Sequence, residues 1–178
     1  MKRTSSKSSS KDLLFKSANE AWDSGDLEQA FALFTQAAKS GDAGSQVDLG
    51  YFYDNGLFVR KNREKALKWY HKAYRQGHAS GANNIATVYR DLRKTRKMLW
   101  WFRRAASMGD TDVLLDLGRR YEAGDGVPKA LAKARLLYRR ALASKYATKE
   151  NRSEALARLT GMGEKIQKYP SVSRPLRR

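Results

Sequence analysis

At 178 residues the chain has the length of one domain, and with no cysteine it can form neither disulfides nor thiolate sites. Its 36 Lys+Arg against 18 Asp+Glu give a net charge of +18, an excess that steers a protein toward something acidic: nucleic acid, an anionic membrane surface or an acidic protein. No apolar run is long enough to span a bilayer or to act as an export signal, so the expected location is cytoplasmic.

Residues 1–11, MKRTSSKSSSK, have few apolar side chains to offset ordering entropy and are expected to form a disordered basic tail. Apolar residues then recur at helical spacing in paired segments. The pairs are about 12–24 with 27–40, 43–55 with 62–76, 79–91 with 95–108, and 111–123 with 130–143. Asp26 and Asn62 stand just before second helices, where a short oxygen side chain caps free N–H groups. Pro128 marks the start of another, as suits its fixed φ. Residues 149–166 read as a capping helix with Leu156, Leu159 and Met162 on one face. Residues 167–178, with Pro170 and Pro175 among basic side chains, are expected to be a flexible tail. Residues 1–11 and 164–178 carry +4 each, which leaves +10 on the segments between.

The pairs are copies of one unit. Gly41, Gly77 and Gly109 mark unit ends. Ala37, Ala73, Ala105 and Ala141 form a column, as do Leu33, Trp69, Trp101 and Leu137. Phe34, Tyr70, Phe102 and Tyr138 form a third, and Ala30, Ala66, Met98 and Ala134 a fourth. On the first helices Trp22, Tyr53, Tyr89 and Tyr121 align, and so do Ala18, Leu49, Ile85 and Leu117. Ala66, Trp69, Tyr70 and Ala73 share one helical face, so these columns are read as core. Gly50 and Gly118 are read as points of closest approach between helices. A period of this size predicts an all-α protein: a right-handed α-solenoid of stacked antiparallel helix pairs. The solenoid domain spans 12–166, with units 12–42, 43–78, 79–110 and 111–145 and the cap at 149–166.

Leu49-Gly50, Tyr53, Gly56, Val59, Lys65-Ala66, Trp69-Tyr70, Ala73 and Gly77-His78-Ala79 resemble the Sel-one-like repeat family, a longer-looped relative of the tetratricopeptide repeat. Leu117-Gly118, Tyr121, Gly124, Gly126-Val127, Ala134, Tyr138 and Ala141 match again. The first unit lacks the Gly-x-Gly-Val loop and turns at Gly25-Asp26. The third is shortened between Tyr89 and Trp101, with Leu92 where Gly56 stands. The resemblance implies that first helices line a concave groove. Its wall would be Lys16, Glu20, Tyr51, Asp54, Asn55, Asn83, Thr87, Arg90, Arg119 and Glu122, a mixed polar surface suited to a protein segment.

The densest basic run, Tyr89 to Arg104, coincides with the shortened loop. Arg93, Lys94, Arg96, Lys97, Arg103 and Arg104 form either a solvated edge or an anion-binding ridge. Trp100 aligns with Ala32, Lys68 and Leu136, a column that reads as partly exposed. Beside Arg103 and Arg104 it has the composition of a binding hot spot, or of an internal cation–π pair.

His71 and His78 are the two histidines, with no third ligand apparent, so neither a metal site nor a cofactor is expected. No Gly-x-Ser-x-Gly elbow, phosphate loop or cysteine nucleophile is present, and the expected class is non-catalytic. The resemblance implies a protein-interaction scaffold, here with an acidic partner, and short bacterial members include immunity proteins that occlude a cognate toxin. The alternative is a nucleic-acid-binding protein that uses the ridge and the tails.

Overall fold

The structure, a computed structural model, describes residues 10–164. Most of both expected tails lies outside that range. Ser10 and Lys11 fall inside it and belong to the first helix. Among the described residues there are nine helices and no strand: α1 (Ser10–Asp23), α2 (Leu27–Lys39), α3 (Ala43–Asn55), α4 (Arg63–Arg75), α5 (Ala79–Asp91), α6 (Thr95–Ser107), α7 (Thr111–Ala123), α8 (Leu131–Ala143) and α9 (Lys149–Gly161). They form two compact units, one up to Asp110 and one from Thr111. That boundary falls between the third and fourth repeats. Each unit is a set of stacked helix pairs of the α-solenoid class. In the first, each helix from α1 to α6 packs on the next; in the second, α8 packs between α7 and α9.

Local chemistry sets the helix ends. Asp26 accepts from the Gln29 N–H at 2.9 Å, Asp42 from Ser45 at 2.6 Å and Asn62 from Lys65 at 2.9 Å, each satisfying a donor the helix leaves free. Second helices in the first unit end in one recurring turn. Asp42, His78 and Asp110 donate to the carbonyls of Ala37, Ala73 and Ala105, each at 3.1 Å. The preceding glycine lies at positive φ each time, as this capping geometry requires.

The core follows the columns. Ala30, Ala66, Met98 and Ala134, Phe34, Tyr70, Phe102 and Tyr138, and Ala18, Leu49, Ile85 and Leu117 are all buried. Leu33, Trp69, Trp101 and Leu137 differ from the expectation, and so do Trp22, Tyr53 and Tyr89: they are half-buried and flank the core rather than fill it. At Gly50 a Cβ would lie 2.5 Å from the Tyr70 ring, and at Gly118 it would lie 2.5 Å from the Tyr138 ring. The missing side chains are therefore seats for the tyrosines of the paired helices.

Three further expectations are corrected. Pro128 does not start a helix. It lies in the α7–α8 loop, and α8 begins at Leu131 after the Ala130 N–H has bonded back to Tyr121 at 2.8 Å. The capping helix ends at Gly161, because Gly163 takes a positive φ and the Glu164 N–H closes on Leu159 at 3.1 Å. Its buried face is Ala155 and Leu159, while Leu156 is 43% exposed.

Candidate interaction surface

The residues expected to line a groove have different fates. Lys16 and Glu20 are exposed and pair with each other at 3.6 Å. Tyr51 is exposed, its ring edge-on to Trp22 at 6.0 Å. Asn55 is exposed and donates to the Tyr51 carbonyl, and Arg90 is exposed beside Asp91 at 3.6 Å. Asn83 and Thr87 are half-buried. Asp54 is not on an open wall: it is buried, with Arg63 at 3.6 Å, and Arg63 also reaches Asp91 at 3.6 Å. Burial holds the Asp54 carboxyl above the usual range against the pull of Arg63 and Lys61. Arg119 and Glu122 are occupied inside the second unit. Arg119 bonds Glu154 of α9 at 2.6 Å, and Glu122 accepts from Tyr138 at 2.7 Å and from Arg158 of α9 at 3.3 Å.

The basic run is brought together at the start and along one face of α6. Arg93, Lys94, Arg96, Lys97, Arg103 and Arg104 are all exposed. The α5–α6 turn repeats the α1–α2 turn, with Arg93 where Gly25 stands and Lys94 in the place of the capping Asp26. Arg93 adopts φ 55 against 81 at Gly25, and Lys94 offers no side-chain cap. Both choices run against local preference. A non-glycine residue at positive φ is strained, and cations at a helix N-terminus oppose the macrodipole.

Trp100 is 47% exposed. Arg104 lies 4.5 Å over its ring and Trp101 meets it edge-on at 4.7 Å. Trp100 therefore makes an internal cation–π contact and still presents surface. Tyr89, Arg96, Lys97, Trp100 and Trp101 line a pocket of about 320 Å³. Trp101 forms its inner wall and packs edge-on to His71 and Tyr74, each at 5.0 Å. His71 is thus a packing residue, its pKa lowered by burial and by Arg75. Among the described residues no cluster of three metal-binding side chains exists, and no helix is long and apolar enough to cross a membrane.

The Sel1 repeat family model matches residues 23–42, 43–78, 99–110 and 112–146, more than half of the chain. The chain belongs to the Sel1 repeat family. Its match is interrupted over 79–98, where the shortened turn and the first half of the basic run lie. Over 124 residues the chain is 31% identical to chitin synthase regulatory factor 1 of Schizosaccharomyces pombe, covering 66% of this chain and 27% of that protein. It is 25% identical over 122 residues to HRD3 of Candida glabrata, an ERAD-associated E3 ubiquitin-protein ligase component, covering 64% of this chain and 15% of that one. Among solved structures, a Sel1 repeat protein from Oxalobacter formigenes is similar with a TM-score of 0.51 and 33% identity, over 63% of this chain and 46% of that chain. The chain thus spans less than a third of the length of these curated relatives. Sel1 repeat proteins serve as protein-interaction scaffolds.

Among the exposed apolar side chains that sequence reasoning missed is Phe58. The loop after α3 aligns with the loop after α7, so that Phe58 stands where Gly126 does. Phe58 adopts φ 57, against 67 at Gly126, and is 53% exposed. The signal was the departure from the glycine of the repeated loop.

Proposed function

We propose that this Sel1 repeat chain is a non-catalytic interaction module that docks an acidic protein partner on the α5–α6 turn and the adjoining face of α6. The observation that carries this reading is Trp100, half-exposed at the rim of an aromatic pocket among cations. Among the described residues, Arg93, Lys94, Arg96, Lys97 and Arg104 take part in no ion pair with a carboxylate. Free cations around an aromatic anchor suit a partner that brings carboxylates and an apolar side chain. The charges speed encounter, and the pocket slows release. The exposed Tyr51, Asn55 and Arg90 and the half-buried Asn83 and Thr87 are proposed as a secondary contact for the same partner.

Nucleic acid is the competing occupant, and the aromatic geometry speaks against it. Bases bind by stacking on open ring faces, yet Arg104 covers the Trp100 ring, and Lys97 sits 5.3 Å from the Tyr89 centroid. A pull-down from host lysate, with and without nuclease and at low and high salt, tests the proposal. One stoichiometric protein retained through nuclease and salt is the expected result. Recovery of nucleic acid alone, lost at high salt, would replace it, since phosphate contacts release counterions. The narrower form of the proposal is an immunity-type role in which the chain, in the cytoplasm, occludes a cognate toxin. It requires that co-expression protect a cell from the captured partner.

A further inference from the structure

Phe58 is, with Arg93, one of two non-glycine residues of the first unit at positive φ among the described residues. A bulky side chain at positive φ is strained, and the repeat itself shows the unstrained solution, Gly126 at φ 67. The strain is not repaid by burial, since Phe58 remains 53% exposed. Its one ring contact is tilted against Phe31, 5.8 Å away. A strained residue that leaves its ring in water points to a role outside the fold.

The surroundings say what that something is. Phe31, Tyr53, Val59, Lys61 and Lys65 line a pocket of about 550 Å³. Tyr53 and Lys65 are shared with a second pocket of about 480 Å³, which continues along α4 past Lys68, Trp69 and Lys72. The floors are aromatic and the rims are cationic. Among the described residues, Lys61, Lys65, Lys68 and Lys72 pair with no carboxylate, although Glu64 stands one turn before Lys68. Lys65 lies 5.1 Å from the Tyr53 centroid and Lys72 lies 3.9 Å over Trp69. Those rings carry cations and do not offer bare faces for nucleobases. Lys65 and Lys72, held over aromatic rings with no carboxylate at ion-pair distance, are placed to meet carboxylates.

We propose that Phe58 and the two joined pockets beside it form a docking site for an acidic linear segment of a partner protein, with apolar side chains spaced between its carboxylates. The site rests on the reading that the chain binds proteins, but not on Trp100. Phe58 is the anchor, the pockets take apolar side chains from the segment, and Lys61, Lys65 and Lys72 pair with its acids.

The test pans a displayed library of random 12-residue peptides against the full chain. The affinities of the enriched peptides are then measured on wild type, Phe58→Gly, Lys65→Glu and Trp100→Ala, with a 12-nucleotide single-stranded DNA as the competing probe. Enriched sequences are expected to combine Asp or Glu with Phe, Leu or Trp. They are expected to lose at least tenfold affinity on Phe58→Gly and on Lys65→Glu, while the Phe58→Gly melting temperature stays level or rises. Enrichment of no peptide, enrichment of peptides without acids, or undiminished binding to Phe58→Gly would overturn the site, as would a fall in that variant's melting temperature. Peptides that bind Phe58→Gly normally but fail on Trp100→Ala would remove this site and leave the general protein-binding proposal standing. Tight DNA binding with no enriched peptide would remove both.

Discussion

At the scale of single residues, small and large side chains are matched across the helix pairs. Gly50 seats Tyr70 and Gly118 seats Tyr138, and in the third repeat the same columns hold Ala86 and Phe102. The acid four residues after each glycine belongs to the set. Glu122 accepts the Tyr138 hydroxyl, and burial followed by that bond pushes the tyrosine pKa upward. Asp54 stands in the same position for Tyr70, and Arg90 replaces the acid where phenylalanine replaces tyrosine. Gly118→Val is therefore expected to cost about 1–3 kcal/mol by overpacking, read as a lower melting temperature. Asp48 gives a pH prediction. Burial, and then Asp42, raise its pKa to about 6. A carboxyl raised above its unfolded value favours the fold when protonated, so this contribution to stability falls as pH rises from about 4 to about 6. Asp48→Asn should raise stability at pH 7.5 by about 1–3 kcal/mol and change little at pH 4. Chemical denaturation at the two pH values checks it.

At the scale of elements, two turns of one design carry different chemistry. The α1–α2 turn uses Gly25 and a capping Asp26, while the α5–α6 turn uses Arg93 and Lys94. Arg93→Gly with Lys94→Asp would rebuild the first turn in the third repeat. The double variant should gain about 1–2 kcal/mol from relieved strain and a restored cap and bind the partner more weakly. Calorimetry and a binding titration read the two effects separately. A gain in stability without a loss of binding would make the turn an ordinary solvated edge. Trp100→Ala is the companion experiment on α6: partner affinity should drop at least tenfold, with helical signal and melting temperature nearly unchanged. A large fall in stability would instead assign Trp100 to packing.

At the scale of the whole molecule, both units carry net positive charge and each engages part of it internally. In the second, Arg119, Arg120, Arg139 and Arg158 are engaged by Glu154, Asp116, Glu164 and Glu122. In the first, Lys65 and Lys72 of α4 and Lys97 and Arg104 of α6 lie over aromatic rings, while Arg63 pairs with Asp54 and Asp91. Net positive charge is nonetheless shared by both units, so either can steer an acidic partner. Association with an acidic partner should slow several-fold between low salt and about 0.5 M, with dissociation changing less. Stopped-flow measurement in each salt separates the two rates.

The repeat columns in the sequence determined the helix pairs, the family and the buried positions of the alanine column and of Phe34, Tyr70, Phe102 and Tyr138, because a repeated unit states its core several times over. Turn chemistry at Asp26, Asn62 and Gly77 was legible for the same reason: caps depend on neighbours a few residues away. Only the tertiary structure decided which polar residues remain available. Asp54 lost its place on a groove to Arg63, and Arg119 and Glu122 lost theirs to α9, whose ion-pairing residues lie more than thirty positions further along the chain. Leu156 faces water because α9 turns Ala155 and Leu159 inward. The strain at Phe58 and Arg93 also needed backbone angles, since a departure from a repeated glycine shows in sequence, while the positive φ that makes it costly shows only in the fold.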